Sequence, residues 1–269
     1  MLATGIGFDA DGVWASSTAV VSKKVSVRMP RGYHESVTLD ETLQTLKAAG
    51  TAQTRKTYLR HGYPEDTYGV SFADMKKLAK KIDTNHALAQ KLWATGNGDA
   101  CVLATMIADP DETSAKELDA WVKAVKFSLM SQMLARFVIE TDFAREKAEQ
   151  WMESSDEWIG EVGYHVLGQL ALRDEELPDD YFEGHLKTIE KNIKAAKNFT
   201  RSAMNQTVIS IGVRNPNLTK KALATAARIG KVEVDHGDTA CQTPDAAAYI
   251  QKTLARAAES KGRPVRLKK

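Results

Sequence analysis

Between Thr38 and Ser260, apolar side chains recur every three or four residues, which is the period of an amphipathic α-helix. In the first such segment Leu39 and Leu43 share one face, and Thr38 with Glu41 has the spacing of a capping box at the helix start. Short polar breaks separate about a dozen of these segments. No period-two alternation, which would indicate β-strands, interrupts them. The pattern therefore predicts an all-α protein.

The predicted helices fall into pairs. An apolar segment, a short loop and a second apolar segment recur at residues 92–107, 150–170 and 189–211, at irregular intervals. This irregularity is typical of HEAT-like repeats and differs from the regular consensus of tetratricopeptide or ankyrin repeats. Such pairs stack into a curved solenoid, whose extended concave face suits a long ligand such as a DNA duplex. A globular helical bundle is the alternative architecture.

We divide the 269-residue chain into one helical-repeat domain over residues 38–260, flanked by an arm and a tail. Residues 1–37 are rich in Gly, Ser and short β-branched runs, and we predict that they form an extended or poorly ordered arm. Residues 261–269 hold five basic residues and no acid, which is typical of a flexible electrostatic tail.

The composition narrows the class of protein. Hydrophobic residues make up 43% of the chain and charged residues 27%, as in an ordinary folded domain. No stretch reaches the length of about 18 apolar residues that indicates a transmembrane helix, and the first residues lack the pattern of a signal peptide. The two cysteines have neither paired nor CxxC spacing. We expect a cytoplasmic protein without membrane contact, and a monomer.

The charge is strongly polarised along the chain, although the net charge is only +2. Residues 187–231 hold ten Lys/Arg and one acid, whereas residues 140–184 hold fourteen Asp/Glu and three Lys/Arg. Within the basic block, five side chains follow one another at steps of four, three, three and four, which places them on one face if the segment is helical. These five are Lys187, Lys191, Lys194, Lys197 and Arg201.

Like charges at these spacings repel one another by a few tenths of a kcal/mol per pair, and a row of phosphates would offset this cost. We therefore predict that the five side chains bind DNA, together with Arg214, Lys220 and Lys221 at the following helices. A solvated helix face is the alternative interpretation of this stripe.

Four segments carry a resemblance to a known family: Tyr68–Phe72, Leu88–Trp93, Trp151–Ile159 and Lys197–Met204. Their residues, order and separation resemble the DNA alkylation repair proteins of the AlkD type, over roughly residues 54–232. The resemblance implies an all-α, HEAT-like-repeat fold. Active members of that family remove positively charged alkylpurines from duplex DNA, which they bind on a basic concave face.

The resemblance also implies which residues carry the chemistry. Active members use a Trp and an Asp four residues apart on one helix, and a second Trp further on. Here the Trp and Asp positions fall near Ser128 and Gln132, the second Trp near Gln206, and a DNA-facing Arg near Glu161. A carboxylate is the direct means of stabilising the oxocarbenium-like sugar, and Gln132 offers only a dipole. We expect a divergent member that binds duplex or distorted DNA, with base excision far below that of a typical family glycosylase and no assigned catalytic residue.

Eight side chains around these positions are predicted to line a base-facing cleft: Phe127, Ser128, Gln132, Trp158, Glu161, Tyr164, Asn205 and Gln206. Glu161 has two interpretations. It either supplies the missing acid from another helix or belongs to the solvated acidic face of residues 140–184, and we favour the second. We expect His165 to pack at a helix interface, and the tryptophans at apolar helix positions to anchor the core.

Asp235, His236, Asp238 and Cys241 place ligand-type side chains within one short loop. Their spacing matches no known metal motif, and we favour a structured turn over a metal site or an Asp235–His236 proton-transfer pair. Walker, dinucleotide-binding, HExxH and GxSxG motifs are absent from the sequence, and we predict neither a metal nor a cofactor. The competing function is a protein–protein scaffold, whose contact surface would be the acidic block of residues 140–184.

Overall fold

The protein is described by a computed structural model over residues 37–261, with side chains up to residue 259. Within this range the chain forms thirteen α-helices and one isolated β-bridge, between Gly50 and Val70. The predicted all-α class is thereby confirmed for the described residues. The predicted arm at residues 1–37 and tail at residues 261–269 lie outside the described residues, apart from one residue each.

The helices follow one another through short connections, except for irregular segments at residues 61–71 and 230–245. Their bounds are α1 (Leu39–Ala49), α2 (Ala52–Arg60), α3 (Phe72–Ile82), α4 (His86–Ala94), α5 (Gly98–Ile107), α6 (Ala115–Lys123), α7 (Ser128–Val138), α8 (Ala144–Met152), α9 (Glu157–Arg173), α10 (Asp179–Asn192), α11 (Asn198–Gly212), α12 (Pro216–Ile229) and α13 (Ala246–Lys261).

Local sequence signals set most of the helix starts. The predicted capping box is present, because Thr38 and Glu41 bond to each other's backbone N–H groups. Asn215 caps α12, whose first residue is a proline, as the sequence indicates. Helix α13 begins at Ala246, two residues after Pro244, and its first turn is capped by Asp245, which accepts from the N–H of Ala248.

The described helices divide into two compact units, Met1–Asp109 and Pro110–Lys269. The first unit contains α1 to α5, and all but one of the residues of α5 are buried. Helices α1, α3 and α4 pack around α5. The predicted repeat domain of residues 38–260 therefore contains a subdivision that the hydrophobic pattern does not reveal.

A buried carboxylate organises the first unit. Asp99, in the first turn of α5, is fully buried and accepts a hydrogen bond of 2.7 Å from the hydroxyl of Thr67. It also accepts from the backbone N–H groups of Tyr68, Gly69 and Val70, at 2.6, 3.0 and 3.1 Å. One side chain thus accepts hydrogen bonds from four donors of the loop that leads into α3. These bonds hold the irregular backbone of this loop, which forms neither a helix nor a strand.

In the second unit, α9 is the central helix and packs against α7, α8 and α11, while α11 packs against α13. Helices α9 and α11 start side by side, because the hydroxyl of Thr200 donates to the carbonyl of Glu157 at 2.9 Å. They also end side by side, because the guanidinium of Arg214 donates to the carbonyl of Ala171 at 3.0 Å. These two helices are therefore parallel. Helix α12 packs against both α10 and α11 and also contacts α13.

Small residues allow the close packing of α9. A Cβ atom on Gly163 would lie 2.6 Å from the backbone nitrogen of Met152, and one on Gly160 would lie 3.2 Å from the hydroxyl of Thr200. The first distance is shorter than real Cβ contacts, so only glycine permits α8 to approach α9 this closely. The predicted core role is confirmed for Trp93, Trp121 and Trp151, which are all buried.

Candidate nucleic-acid interface

The residues predicted to line a base-facing cleft lie on or beside α7, α9 and α11, which pack as neighbours. The structure brings Ser128 and Gln132 of α7 against Glu161 of α9, through a chain of hydrogen bonds. Trp158 and Gln206 are half-buried at the surface. The family resemblance therefore locates a real cluster of polar side chains at the α7–α9 contact.

Glu161 is the centre of this cluster and is only 1% exposed. Its Oε1 accepts from the hydroxyl of Ser128 at 2.5 Å, and its Oε2 accepts from the hydroxyl of Ser131 at 2.6 Å. His165, one turn further along α9, places Nε2 at 3.6 Å from Oε1. Gln132 donates to the hydroxyl of Ser128 at 3.3 Å. The favoured interpretation of Glu161 as part of a solvated acidic face is wrong, because α7 covers this position of α9.

The geometry limits what Glu161 can do chemically. Both carboxylate oxygens already accept a hydroxyl hydrogen bond, and no appreciable part of the side chain reaches the surface. A carboxylate that stabilises a developing sugar cation must face the sugar directly. Glu161 instead fixes the hydroxyls of Ser128 and Ser131, so it ties α7 to α9.

Three other predicted cleft residues are interior. Phe127 precedes α7 and is 1% exposed, and Asn205 is buried and donates its Nδ2 hydrogen to the carbonyl of Pro244 at 2.9 Å. Burial raises the pKa of Tyr164 to about 12, so its hydroxyl stays protonated. These side chains hold helices together and present no surface to a base. The reason is that α9 and α11 are buried over most of their length.

Trp158 differs from the other tryptophans because it remains half-buried at the start of α9. Its ring stacks on that of Phe199, with centroids 4.8 Å apart and an angle of 22° between the planes. Phe199 also donates its backbone N–H to the carboxylate of Glu157, at 2.8 Å. This aromatic pair joins the first turns of α9 and α11, and one of its members, Trp158, is a predicted cleft residue.

The basic stripe does not form one helix face. Helix α10 ends at Asn192, residues 193–196 form a turn, and α11 begins at Asn198. Lys187 and Lys191 therefore lie on α10, whereas Lys197 is the N-cap residue of α11. The prediction of a single helical stripe is wrong. The chain turns back between α10 and α11, so the five side chains are divided between these two helices and the turn that joins them.

Three of the eight predicted DNA-binding cations are engaged within the protein. The guanidinium of Arg201 donates to the carbonyls of Ala196 and Glu233, at 2.7 and 3.0 Å. Arg214 donates to the carbonyls of Ala171 and Leu177 and lies over the ring of Phe182, and Lys221 pairs with Glu183 at 3.3 Å. These contacts satisfy backbone carbonyls and a neighbouring carboxylate, so the three cations stabilise the fold.

The remaining lysines are available. Four exposed side chains with no carboxylate of the described residues within ion-pair distance lie on α10, in the turn and at the start of α11; we name them the α10–α11 lysine surface: Lys187, Lys191, Lys194 and Lys197. Glu190, the single acid of the block, pairs with Arg228 through both of its oxygens. Lys220 on α12 is likewise exposed and without such a pair.

The acidic block is partly neutralised by its own neighbours. Glu140 pairs with Arg173, and Glu149 pairs with Arg145 at 2.9 Å. The ammonium of Lys147, which is only 3% exposed, pairs at 2.9 Å with the carboxylate of Asp119. Asp119 lies on α6 and does not belong to the block. The carboxylates of Asp179 and Glu183 accept from amides or pair with a lysine of α12. Four of the fourteen acids of the block therefore have a lysine or arginine within ion-pair distance: Glu140, Glu146, Glu149 and Glu183.

The segment before α13 is held by α11. The side chain of Asn198 bonds to both backbone groups of Asp235, as a donor at 2.8 Å and as an acceptor at 2.7 Å, and the ring of His236 bonds to the hydroxyl of Thr243 at 3.0 Å. No group of three or more His, Cys, Asp or Glu within the described range is arranged to hold a metal ion. These hydrogen bonds therefore hold residues 235–241, which belong to the segment between α12 and α13. None of the described helices is long and apolar enough to cross a membrane.

The sequence reasoning missed two partners in this region. Ser131 shares Glu161 with Ser128, and its spacing of three residues from Ser128 on α7 is the only signal that could have indicated this. Asn198 had no signal, because its contacts depend on the path of the distant residues 230–245.

Comparisons with other proteins agree with this architecture. The profile of the family described as DNA alkylation repair enzyme matches residues 39–250. Two proteins are similar over 222 residues, 80% of this chain and 97% of their own length: the uncharacterized protein Lmo0209 of Listeria monocytogenes serovar 1/2a, 31% identical, and the uncharacterized protein Lin0241 of Listeria innocua serovar 6a, 30% identical.

A solved structure is also similar, with a TM-score of 0.76 and 31% sequence identity, over 81% of this chain and 94% of that chain. It represents a new family of proteins related to the HEAT-like repeat DNA glycosylases, with affinity for branched DNA structures. The likeness confirms the predicted HEAT-like fold. On the match of its sequence and the order of its helices, the chain belongs to the DNA alkylation repair family.

Proposed function

We propose that this protein binds branched DNA, and that the α10–α11 lysine surface makes phosphate contacts with it. The observation that carries the proposal is that these four lysines are exposed and unpaired within the described range, while other cations of the same block are engaged by carbonyls or carboxylates. Membership of a DNA alkylation repair family, and a similar protein with affinity for branched DNA, support the choice of ligand.

The physical basis of this binding is the release of counterions. Each lysine that neutralises a phosphate displaces a condensed cation, so affinity falls with rising salt by about 0.9 logarithmic units per contact and per tenfold change in salt. Phosphate contacts fix the position of DNA and do not read its sequence. The α10–α11 lysine surface therefore favours binding by DNA shape and charge.

We do not assign base excision to this protein as its main activity. The family resemblance puts the Trp and Asp of active members near Ser128 and Gln132, and the carboxylate beside them, Glu161, is buried and bonded to two hydroxyls. An active site for glycosidic cleavage needs a charge that faces the sugar. We infer a protein that recognises DNA structure rather than one that removes bases.

A binding assay tests the proposal. The affinity of the full chain for a four-way DNA junction and for a linear duplex of the same sequence is measured over a range of salt concentrations. We expect the variant Lys187→Ala/Lys191→Ala/Lys194→Ala/Lys197→Ala to bind both ligands more weakly and to flatten the log–log salt dependence by about 3.6, or about 0.9 for each of the four contacts.

The matched control removes four exposed lysines that lie elsewhere on α1, α2, α4 and α6, namely Lys47, Lys56, Lys91 and Lys116. It changes the net charge by the same amount, so it separates a local surface from a general charge effect. Binding of the first variant at the level of the control would contradict the proposal.

A further inference from the structure

Helix α3, in the first compact unit, carries a second group of cations. Four lysines occupy six consecutive positions without an acid among them, at Lys76, Lys77, Lys80 and Lys81, and all four are exposed. The opposite face of α3 contains the buried Met75 and packs against α5. The helix therefore points one face into the core of its unit and presents the other as a basic surface, which we name the α3 lysine surface.

Most of this charge has no partner. Lys77 pairs with Asp74 at 2.8 Å, whereas Lys76, Lys80 and Lys81 have no carboxylate of the described residues within ion-pair distance. The ammonium of Lys76 lies 4.8 Å from the centre of the Phe72 ring, a cation–π contact that adds no negative charge to the surface. Other cations of this unit are paired, as Arg55 is with Glu65, and its remaining exposed lysines do not form a group of four within six positions.

The helix dipole explains only part of the pattern. Lys80 and Lys81 lie in the last turn of α3, where a cation is favoured by about 0.3–1 kcal/mol. Lys76 and Lys77 lie a full turn earlier, so the dipole does not account for them. Lysines four residues apart lie about 6 Å apart along a helix axis, and like charges at this spacing repel each other. A polyanion would relieve this repulsion.

We propose that the α3 lysine surface binds the phosphates of a second duplex arm of a branched DNA, while the α10–α11 lysine surface binds the first. This inference rests on the proposed function. The two surfaces belong to different compact units of the chain. A ligand with several arms engages both surfaces, and the second contact then forms intramolecularly, which raises overall affinity without any new kind of contact. If the two surfaces hold different arms, only a branched ligand occupies both at once, and a preference for the branch over a linear duplex is expected.

The test compares three variants of the full chain on a four-way junction and on a linear duplex of the same sequence. The first variant changes all four α3 lysines to Gln, which keeps helix propensity and side-chain length while it removes charge. The second is the alanine variant of the α10–α11 lysine surface, and the third is the control at Lys47, Lys56, Lys91 and Lys116. Circular dichroism and the thermal midpoint establish that each variant is folded.

We expect the α3 variant to lose at least about 10-fold in affinity for the junction, with little change for the linear duplex. Its salt dependence should flatten by roughly 3 on the junction alone. The control should retain the preference of the parent for the junction.

Two results would overturn the inference. If the α3 variant binds both ligands like the parent while the α10–α11 variant loses both, the proposed function stands and the second surface does not exist. If the α3 variant loses the same factor on both ligands, its lysines follow a single duplex and do not hold a second arm. Loss of binding by neither variant would instead contradict the proposed function itself.

Discussion

At the scale of single residues, two buried carboxylates show how this chain uses charge in its interior. Asp99 accepts one hydroxyl and three backbone N–H groups, and Glu161 accepts two hydroxyls and lies near His165. Both are at most 1% exposed. A buried charge is tolerated only when its hydrogen-bonding capacity is used, and each of these side chains meets that condition by joining separate segments of the chain.

Replacement of Asp99 by Asn should destabilise the protein by about 2–3 kcal/mol, because the amide offers one acceptor oxygen and turns its own donors toward buried N–H groups. Urea unfolding of the parent and variant measures the change. Asp40→Asn, at an exposed position in the first turn of α1, is the control and should cost only a few tenths of a kcal/mol. Equal stability of the two variants would show that Asp99 does not hold the loop before α3.

The release of free 7-methylguanine and 3-methyladenine from alkylated duplex DNA should remain far below that of a typical family glycosylase, and Glu161→Gln should not change it. The physical reason is that Glu161 is buried behind Ser128 and Ser131 and cannot face a sugar. Robust release at catalytic turnover that the Gln variant abolishes would prove Glu161 to be the missing acid.

At the scale of the elements, α9 decides the packing of the second unit, since α7, α8 and α11 all rest on it. Among its glycines, Gly163 lies where the backbone at the end of α8 comes closest to α9. Glycine in a helix interior costs about 0.5–1 kcal/mol in conformational entropy relative to alanine. Close approach between α8 and α9 outweighs this cost.

Gly163→Ala should therefore destabilise the protein by about 1–3 kcal/mol, because the added methyl group overlaps the backbone of Met152. Gly184→Ala is the matched control, since Gly184 also lies inside a helix, α10, but a Cβ atom there would meet nothing. It should stabilise by about 0.5–1 kcal/mol. Thermal unfolding measures both, and changes of the same sign would contradict the packing argument.

At the scale of the whole molecule, the described helices form two compact units. In the second unit many acids pair with nearby cations, as Glu149 does with Arg145. Between the helices α8 and α10 the ring of His185 packs edge-on against Tyr181, with centroids 4.6 Å apart. The burial of His185 at this place makes the folded state sensitive to pH through the pKa of the imidazole.

Burial lowers the pKa of His185 from its ordinary value of 6.5; Glu149 opposes this shift, and Arg145 adds to it. The unfolded chain therefore takes up the proton at a higher pH than the folded chain, so stability falls as the pH is lowered through 6.5 toward the folded pKa. We expect His185→Gln to weaken this loss, as measured by urea unfolding at several pH values. His61→Gln, at an exposed position, should keep the parent's dependence. A parallel decline in the His185 variant would disprove the role of this side chain.

The sequence by itself determined the features that depend on neighbours along the chain. Apolar spacing predicted an all-α protein with paired helices, and the capping-box spacing of Thr38 and Glu41 predicted a helix start that the structure contains. These properties follow from the helical period and from the capping of backbone groups within four residues. The order of the segments that begin at Tyr68 and end at Met204 was also enough to indicate the family, which the comparisons confirm.

Only the tertiary structure decided which polar side chains are available to a ligand. Nothing between Lys187 and Lys197 forces a helix to end, yet α10 stops at Asn192 because the chain must turn back to pack α11 against α9. Glu161 has the sequence surroundings of a surface acid and is buried because a distant helix covers it. Burial and pairing depend on residues thirty or more positions away, and for this reason the charge pattern along the chain could not separate structural cations from those free to meet DNA.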